Sequence, residues 1–86
     1  MTTQDIYTLY TNLPLNLDDI LSTEFSNESN EEESCYSIVI TFKYIITFSN
    51  RVGIALFPDN MEYRASPGVP EELHAYFKIC GFKEIS

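Results

Sequence analysis

Apolar and polar residues alternate with a period of two from position 36 onward. Every even position is apolar or aromatic: Tyr36, Ile38, Ile40, Phe42, Tyr44, Ile46 and Phe48. The odd positions include Ser37, Thr41, Lys43 and Thr47. Successive side chains of a strand point to opposite faces, so this pattern predicts strand rather than helix. No Gly, Pro, Asn or Asp interrupts the run, so no hairpin turn is signalled near Lys43. The expectation is one long strand over about residues 35–48, bent or bulged in the middle because strands of that length are uncommon. Ser49-Asn50-Arg51 reads as a turn and Val52 to Phe57 as a second strand, with Gly53 at a bulge. Pro58-Asp59-Asn60 is a turn, Met61 to Ala65 a short third strand, and Ser66-Pro67-Gly68 breaks it.

Helical periodicity marks both ends of the chain. Ile6, Leu9, Tyr10 and Leu13 fall at i, i+3, i+4 and i+7, behind a capping box at Thr2 and Asp5, and predict a helix over about residues 3–12. Pro14 stops it. Asn16 can cap a second, shorter helix with Asp18 and Asp19 in its first turn and Leu17, Ile20, Leu21 and Phe25 facing inward. Near the C-terminus, Pro70 suits a first turn, and Glu71 and Glu72 complement the positive end of the helix dipole. Leu73, Tyr76, Phe77 and Cys80 form the apolar stripe, Gly81 ends the helix, and Phe82 and Ile85 are placed to fold back on the core. The predicted fold class is therefore α+β: a three-stranded antiparallel meander with a long first strand, packed by one or two N-terminal helices and one C-terminal helix. Both ends are expected to cover the sheet face carrying Ile38, Ile40, Phe42 and Ile46.

Eighty-six residues, 44% of them hydrophobic, make one domain with one core and little room for a large pocket. Two cysteines, Cys35 and Cys80, are too few for the disulfide framework of a small secreted domain and are expected as buried free thiols. The N-terminus has no basic or apolar run that reads as a signal peptide, and Ile38 to Phe48 is too short and too polar to span a bilayer. The expected location is cytoplasmic.

Charge changes the picture further. Residues 1–42 hold Asp5, Asp18, Asp19, Glu24, Glu28, Glu31, Glu32 and Glu33 and no Lys or Arg, while residues 43–86 hold five acids and five bases. The whole net charge of −8 thus belongs to the first half. Residues 26–34, Ser-Asn-Glu-Ser-Asn-Glu-Glu-Glu-Ser, contain nothing apolar and read as an acidic mobile loop. Acidic surfaces keep small proteins dispersed, but charge gathered on one side also attracts a basic partner and speeds encounter. Direct binding to a phosphate backbone is disfavoured by repulsion. A basic protein whose own nucleic-acid site is lined with Lys and Arg is the fitting partner. The partner-binding candidates are Asp18, Asp19 and Glu24, expected on a rigid helix, and Glu28, Glu31, Glu32 and Glu33 on the loop.

Candidate chemistry is sparse. His74 is the one histidine, placed off the apolar stripe beside Glu71 and Lys78, and reads as a surface helix residue. One His and two distant Cys do not make a zinc site, the acidic loop lacks the spacing of a calcium loop, and the three glycines form no phosphate-binding motif. Asp18/Asp19 and Glu71/Glu72 are adjacent pairs that diverge by about 100° on a helix, poor geometry for acid–base work. Tyr44 and Tyr63 are the aromatics expected to stand outside the core. No enzyme activity, cofactor or metal is expected. The leading expectation is a small protein inhibitor that blocks a basic, nucleic-acid-binding partner. Toxin-immunity proteins and phage-encoded anti-CRISPR inhibitors offer the general analogy. The rival is a homo-oligomeric structural or adaptor domain assembling through the unpaired edge of the long strand.

Overall fold

The computed structural model describes residues 1–85. Strand β2 (Tyr36–Phe42) forms where the alternation demands one, and its even residues are the buried ones: Tyr36, Ile38, Ile40 and Phe42. Ile38 and Ile40 are fully excluded from solvent, and burial of such a side chain contributes about 1.5–3 kcal/mol. β2 is flanked on one side by β1 (Ile20–Asn27) and on the other by β3 (Arg51–Phe57), both antiparallel to it. β4 (Glu62–Ala65) continues the antiparallel ladder, and β5 (Lys83–Glu84) joins β4 in parallel. The sheet is five-stranded in chain order, β1-β2-β3-β4-β5. A parallel neighbour requires a crossover connection, which helix α2 (Glu71–Ile79) supplies.

Helix α1 (Thr3–Thr11) starts at the expected capping box. The Asp5 N–H donates to Thr2 Oγ1 at 3.1 Å and the Thr2 N–H donates to Asp5 Oδ2 at 2.8 Å. The bond from the Thr2 backbone, more than that from its side chain, holds the Asp5 carboxyl below its ordinary pKa. α1 buries Ile6 and Leu9, and α2 buries Leu73 and Phe77. These four join the inward residues of β2, β3 and β4 in one core. The helices are tied together by Tyr76, whose phenol donates to the Leu9 carbonyl at 2.8 Å. Gly81, at φ +99°, ends α2 in the left-handed region. The Phe82 N–H then reaches back to the Phe77 carbonyl at 2.9 Å, Phe82 is buried, and β5 is delivered to β4. No helix among the described residues is long and apolar enough to cross a membrane.

Three expectations are corrected. The strand of residues 35–48 does not exist; β2 ends at Phe42, and residues 43–50 form the connection to β3. The ladder closes there because the Asn50 side chain donates to the Phe42 carbonyl while the Phe42 N–H donates to the Asn50 carbonyl, at 3.0 and 2.7 Å. Beyond that point the alternation meets mostly solvent: Tyr44 and Phe48 are exposed, and Ile46, half-buried, packs against the rim of the core. The second N-terminal helix is replaced by one 3-10 turn, Leu17–Asp19, followed by β1. Asn16 does cap that turn, accepting the Asp18 N–H at 3.2 Å. The free edge of β2 then recruits residues with strand preference, Ile20, Thr23 and Phe25, and pairing outweighs their helical spacing. Leu17 and Leu21, expected inward, are 75% and 62% exposed. The meander accordingly has four antiparallel strands rather than three, and the parallel β5 is an addition.

Two outcomes follow from this packing. Phe77→Ala removes a fully buried ring and is expected to cost about 3–5 kcal/mol, most of the stability of a domain this small, measured by chemical denaturation. Burial, reinforced by Cys80, pushes the Tyr76 phenol from its ordinary 10.0 up to about 12. A raised phenol favours the folded state fully below pH 10, and that contribution is lost as pH rises from 10 to about 12, because the unfolded chain ionises first. Stability should fall across this alkaline window. Tyr76→Phe should flatten part of the fall, leaving the share of Tyr63, whose phenol is raised in the same direction.

Candidate functional site

The seven acids singled out from the sequence all lie on or immediately beside β1, one of the two edge strands of the sheet. Asp18 and Asp19 form the 3-10 turn that leads into it, Glu24 is at its middle, and Glu28, Glu31, Glu32 and Glu33 occupy the loop that leaves it. An eight-residue strand is about 26 Å long, so the acids make two terminal groups with one carboxylate between them rather than a single cluster. Of the five bases, Lys43 and Arg51 come near this strand, beside Asp19 and Glu24, and the other three lie away from it. Lys43 and Arg51 are at the β2–β3 end of the sheet, and Arg64, Lys78 and Lys83 belong to β4, α2 and β5.

Each group is held by local chemistry. The Asp19 N–H donates to the Asn16 carbonyl at 3.0 Å, and the Asp19 carbonyl accepts the Lys43 N–H at 2.9 Å, anchoring the turn to the end of β2. The loop, residues 26–34, carries several local hydrogen bonds. The Asn30 side chain accepts the N–H groups of Glu32 and Glu33 at 2.8 and 2.9 Å, and Asn27 accepts that of Ser29 at 3.0 Å. Asn and Ser here bond their own backbone instead of leaving it to water. The Ser34 N–H donates to Asp59 Oδ2 at 2.9 Å, which fastens the loop to the β3–β4 turn. Glu24, expected on a helix, is on the strand, with Oε2 3.8 Å from Arg51. Both side chains are more than 60% exposed, so this pair contributes little and leaves Glu24 open to other partners.

Beside the strand, on the helix side, lies a groove of about 260 Å³ lined by Tyr10, Thr11, Leu13, Leu15, Leu17 and Thr23. The Tyr10 phenol and the Thr23 hydroxyl are 2.6 Å apart at its floor, and Tyr10 stacks on Phe25 with ring centroids 5.1 Å apart. This groove was not foreseen, because Leu15 and Leu17 read as inward residues of a helix.

Other titratable groups are placed for structure. His74 is not the surface residue expected: its side chain is 15% exposed, with Nδ1 2.6 Å from the Tyr63 hydroxyl and 3.7 Å from Glu84 Oε1. Tyr63, expected as an exposed aromatic, is fully buried against Phe77. Burial first, then Glu84 and Glu71, pushes its phenol up, and its hydroxyl shares a hydrogen bond with Nδ1. The available signal was that His74 follows Leu73 and lies three residues before Phe77, at the border of the buried stripe. Tyr44 is half-exposed, as expected. Cys35 and Cys80 are free and half-buried, and burial followed by Glu33 and Glu28 pushes the Cys35 thiol up, away from the reactive thiolate. Among the described residues no three His, Cys, Asp or Glu side chains converge on a metal-sized site. Compared with family models, with curated proteins and with solved structures, the chain matches none.

Proposed function

We propose that this protein acts by binding, as a small acidic inhibitor that engages a basic, nucleic-acid-binding protein along β1 and blocks its nucleic-acid site. One observation carries the reading. The seven candidate acids all border the edge strand β1, residues 1–42 contain no base, and the one base facing them, Arg51, pairs with Glu24 alone and in the open. Nucleic acid presents negative charge in a line, and carboxylates spread over about 26 Å of edge present the same sign over a comparable track. A partner that binds phosphates through Lys and Arg would be attracted before contact and occupied after it. The mode of action is that of toxin-immunity proteins and anti-CRISPR inhibitors. It needs neither cofactor nor catalytic group, and it suits the cytoplasm. The rival reading, assembly of copies through the edge of a long strand, loses its premise because β2 is paired on both sides.

The test starts from a partner captured from the native host and identified by mass spectrometry. The protein should compete with nucleic acid for it. The Asp18 and Asp19 turn is anchored, so its reversal to Lys should weaken binding more than tenfold, or about 1.4 kcal/mol. Reversal of Glu31, Glu32 and Glu33 should mainly slow association and flatten its salt dependence. If both leave affinity and association rate unchanged, the acids serve solubility only.

A further inference from the structure

We infer that β1 is a docking edge that accepts an extended segment of the partner as a sixth strand, with Lys or Arg alternating with apolar residues. This inference rests on the acidic-edge reading and specifies how the partner is held.

The first observation is the free edge itself. β1 pairs only with β2. The Glu28 N–H donates to the Cys35 carbonyl at 2.8 Å, and the register runs without interruption from Asn27↔Tyr36 to Ser22↔Thr41. In an antiparallel ladder, hydrogen-bonded and non-hydrogen-bonded pairs alternate. Ser22, Glu24 and Ser26 therefore direct their N–H and C=O groups toward β2, while Thr23, Phe25 and Asn27 direct theirs outward. Three consecutive outward positions offer both donors and acceptors to an incoming strand, and main-chain bonds of this kind supply affinity in strand addition.

The second observation is what flanks the edge on either face. Residues 22, 24 and 26 are on the open face of the sheet, where Gly53 shows that nothing lies within 4 Å of a side-chain position. Thr23 and Phe25 are on the helix face, where Thr23 lines the groove of about 260 Å³ with Leu13, Leu15 and Leu17, and Phe25 stacks on Tyr10. An added strand alternates its own side chains between these two environments. Those on the open face meet Glu24, and those on the other face meet apolar walls, including the 75% exposed Leu17. The complement is an amphipathic strand, basic on one face and apolar on the other.

The third observation decides between occupants. A second copy adding its β1 antiparallel would bring its acidic loop beside Asp18 and Asp19, and its Glu24 near the other Glu24. Each contact is between like charges, which is destabilising across strands. A basic segment finds an opposite charge at both ends and in the middle. Edge strands left this exposed are ordinarily guarded by charge, and here every charged side chain of β1 and of the turn and loop that flank it is acidic, Arg51 of β3 reaching only Glu24 at 3.8 Å.

The experiment uses the full chain and two probes: an acetylated, amidated octapeptide alternating Lys and Val, and the same octapeptide N-methylated at alternate residues. Charge is equal in the two, but the second lacks main-chain donors on one edge. Binding is followed by titration, and amide exchange is read residue by residue. In the free protein the Thr23, Phe25 and Asn27 amides should exchange fast and those of Ser22, Glu24 and Ser26 slowly. The unmodified peptide should slow the first set, the N-methylated peptide should bind at least tenfold more weakly, and Glu24→Lys should weaken the unmodified peptide. Equal binding of the two peptides, or binding without protection of the outward amides, overturns strand addition and leaves the acidic-edge reading standing. Binding of neither at low salt overturns both. Concentration-dependent dimerisation of the free protein that protects the same amides makes a second copy the occupant and overturns the inference.

Discussion

Ile38 and Ile40 are in the middle of β2, out of contact with solvent, with a paired strand on either side and both helices over them. Everything else is arranged around the need to cover that one face. Eighty-six residues support a single core. α1 and α2 therefore share the same side of the sheet and touch one another through the Tyr76 phenol and the Leu9 carbonyl. Gly81 reverses the chain at the end of α2 so that Phe82 closes the same core, and the short β5 is a consequence of that return. With both helices on one side, the opposite face and the outer edge of β1 are uncovered among the described residues.

What was legible in the sequence was whatever this core dictates. The alternation over Tyr36 to Phe42, the strand from Val52, the capping box of α1 and the stripe Leu73–Phe77 all appear where burial requires them. The misreadings concern residues whose pattern continues past the centre of the core, where only some of them, Phe25 and Ile46, still pack against it. Tyr44, Ile46 and Phe48 keep the period of β2, but no strand pairs with them, and Phe48 is 94% exposed. Leu17, Leu21 and Phe25 keep a helical spacing, yet the backbone groups on the free edge of β2 offered a ladder, and residues 20–27 took it. Periodicity records which faces a segment can bury; it does not record what is there to bury them against.

The acidic residues behave differently from both groups. Their presence and their confinement to the first half are plain in the sequence, but their geometry depends on the element that was misread. On a helix, Asp18, Asp19 and Glu24 would cluster within two turns. On a turn and strand they are spread out, and the loop acids come to the opposite end, where Asn27, Asn30 and Asp59 hold the loop in place. A cluster would favour a compact cationic ligand. A line of charge along an unpaired strand favours an extended one.

That spacing has a further consequence under physiological salt, where charges separated by more than about 8 Å at the surface are largely screened from one another. The two acidic ends of β1, about 26 Å apart, cannot act as one field on a bound ligand. Each must be matched by a cation placed near it, and Glu24 must be matched separately between them. A globular partner could satisfy one end with a surface lysine. Satisfying all three positions while filling the main-chain bonds of Thr23, Phe25 and Asn27 requires a backbone that runs the length of β1. The charge pattern and the open ladder thus favour the same shape of ligand for independent reasons, and the same charges disfavour antiparallel pairing of β1 with a second copy of itself.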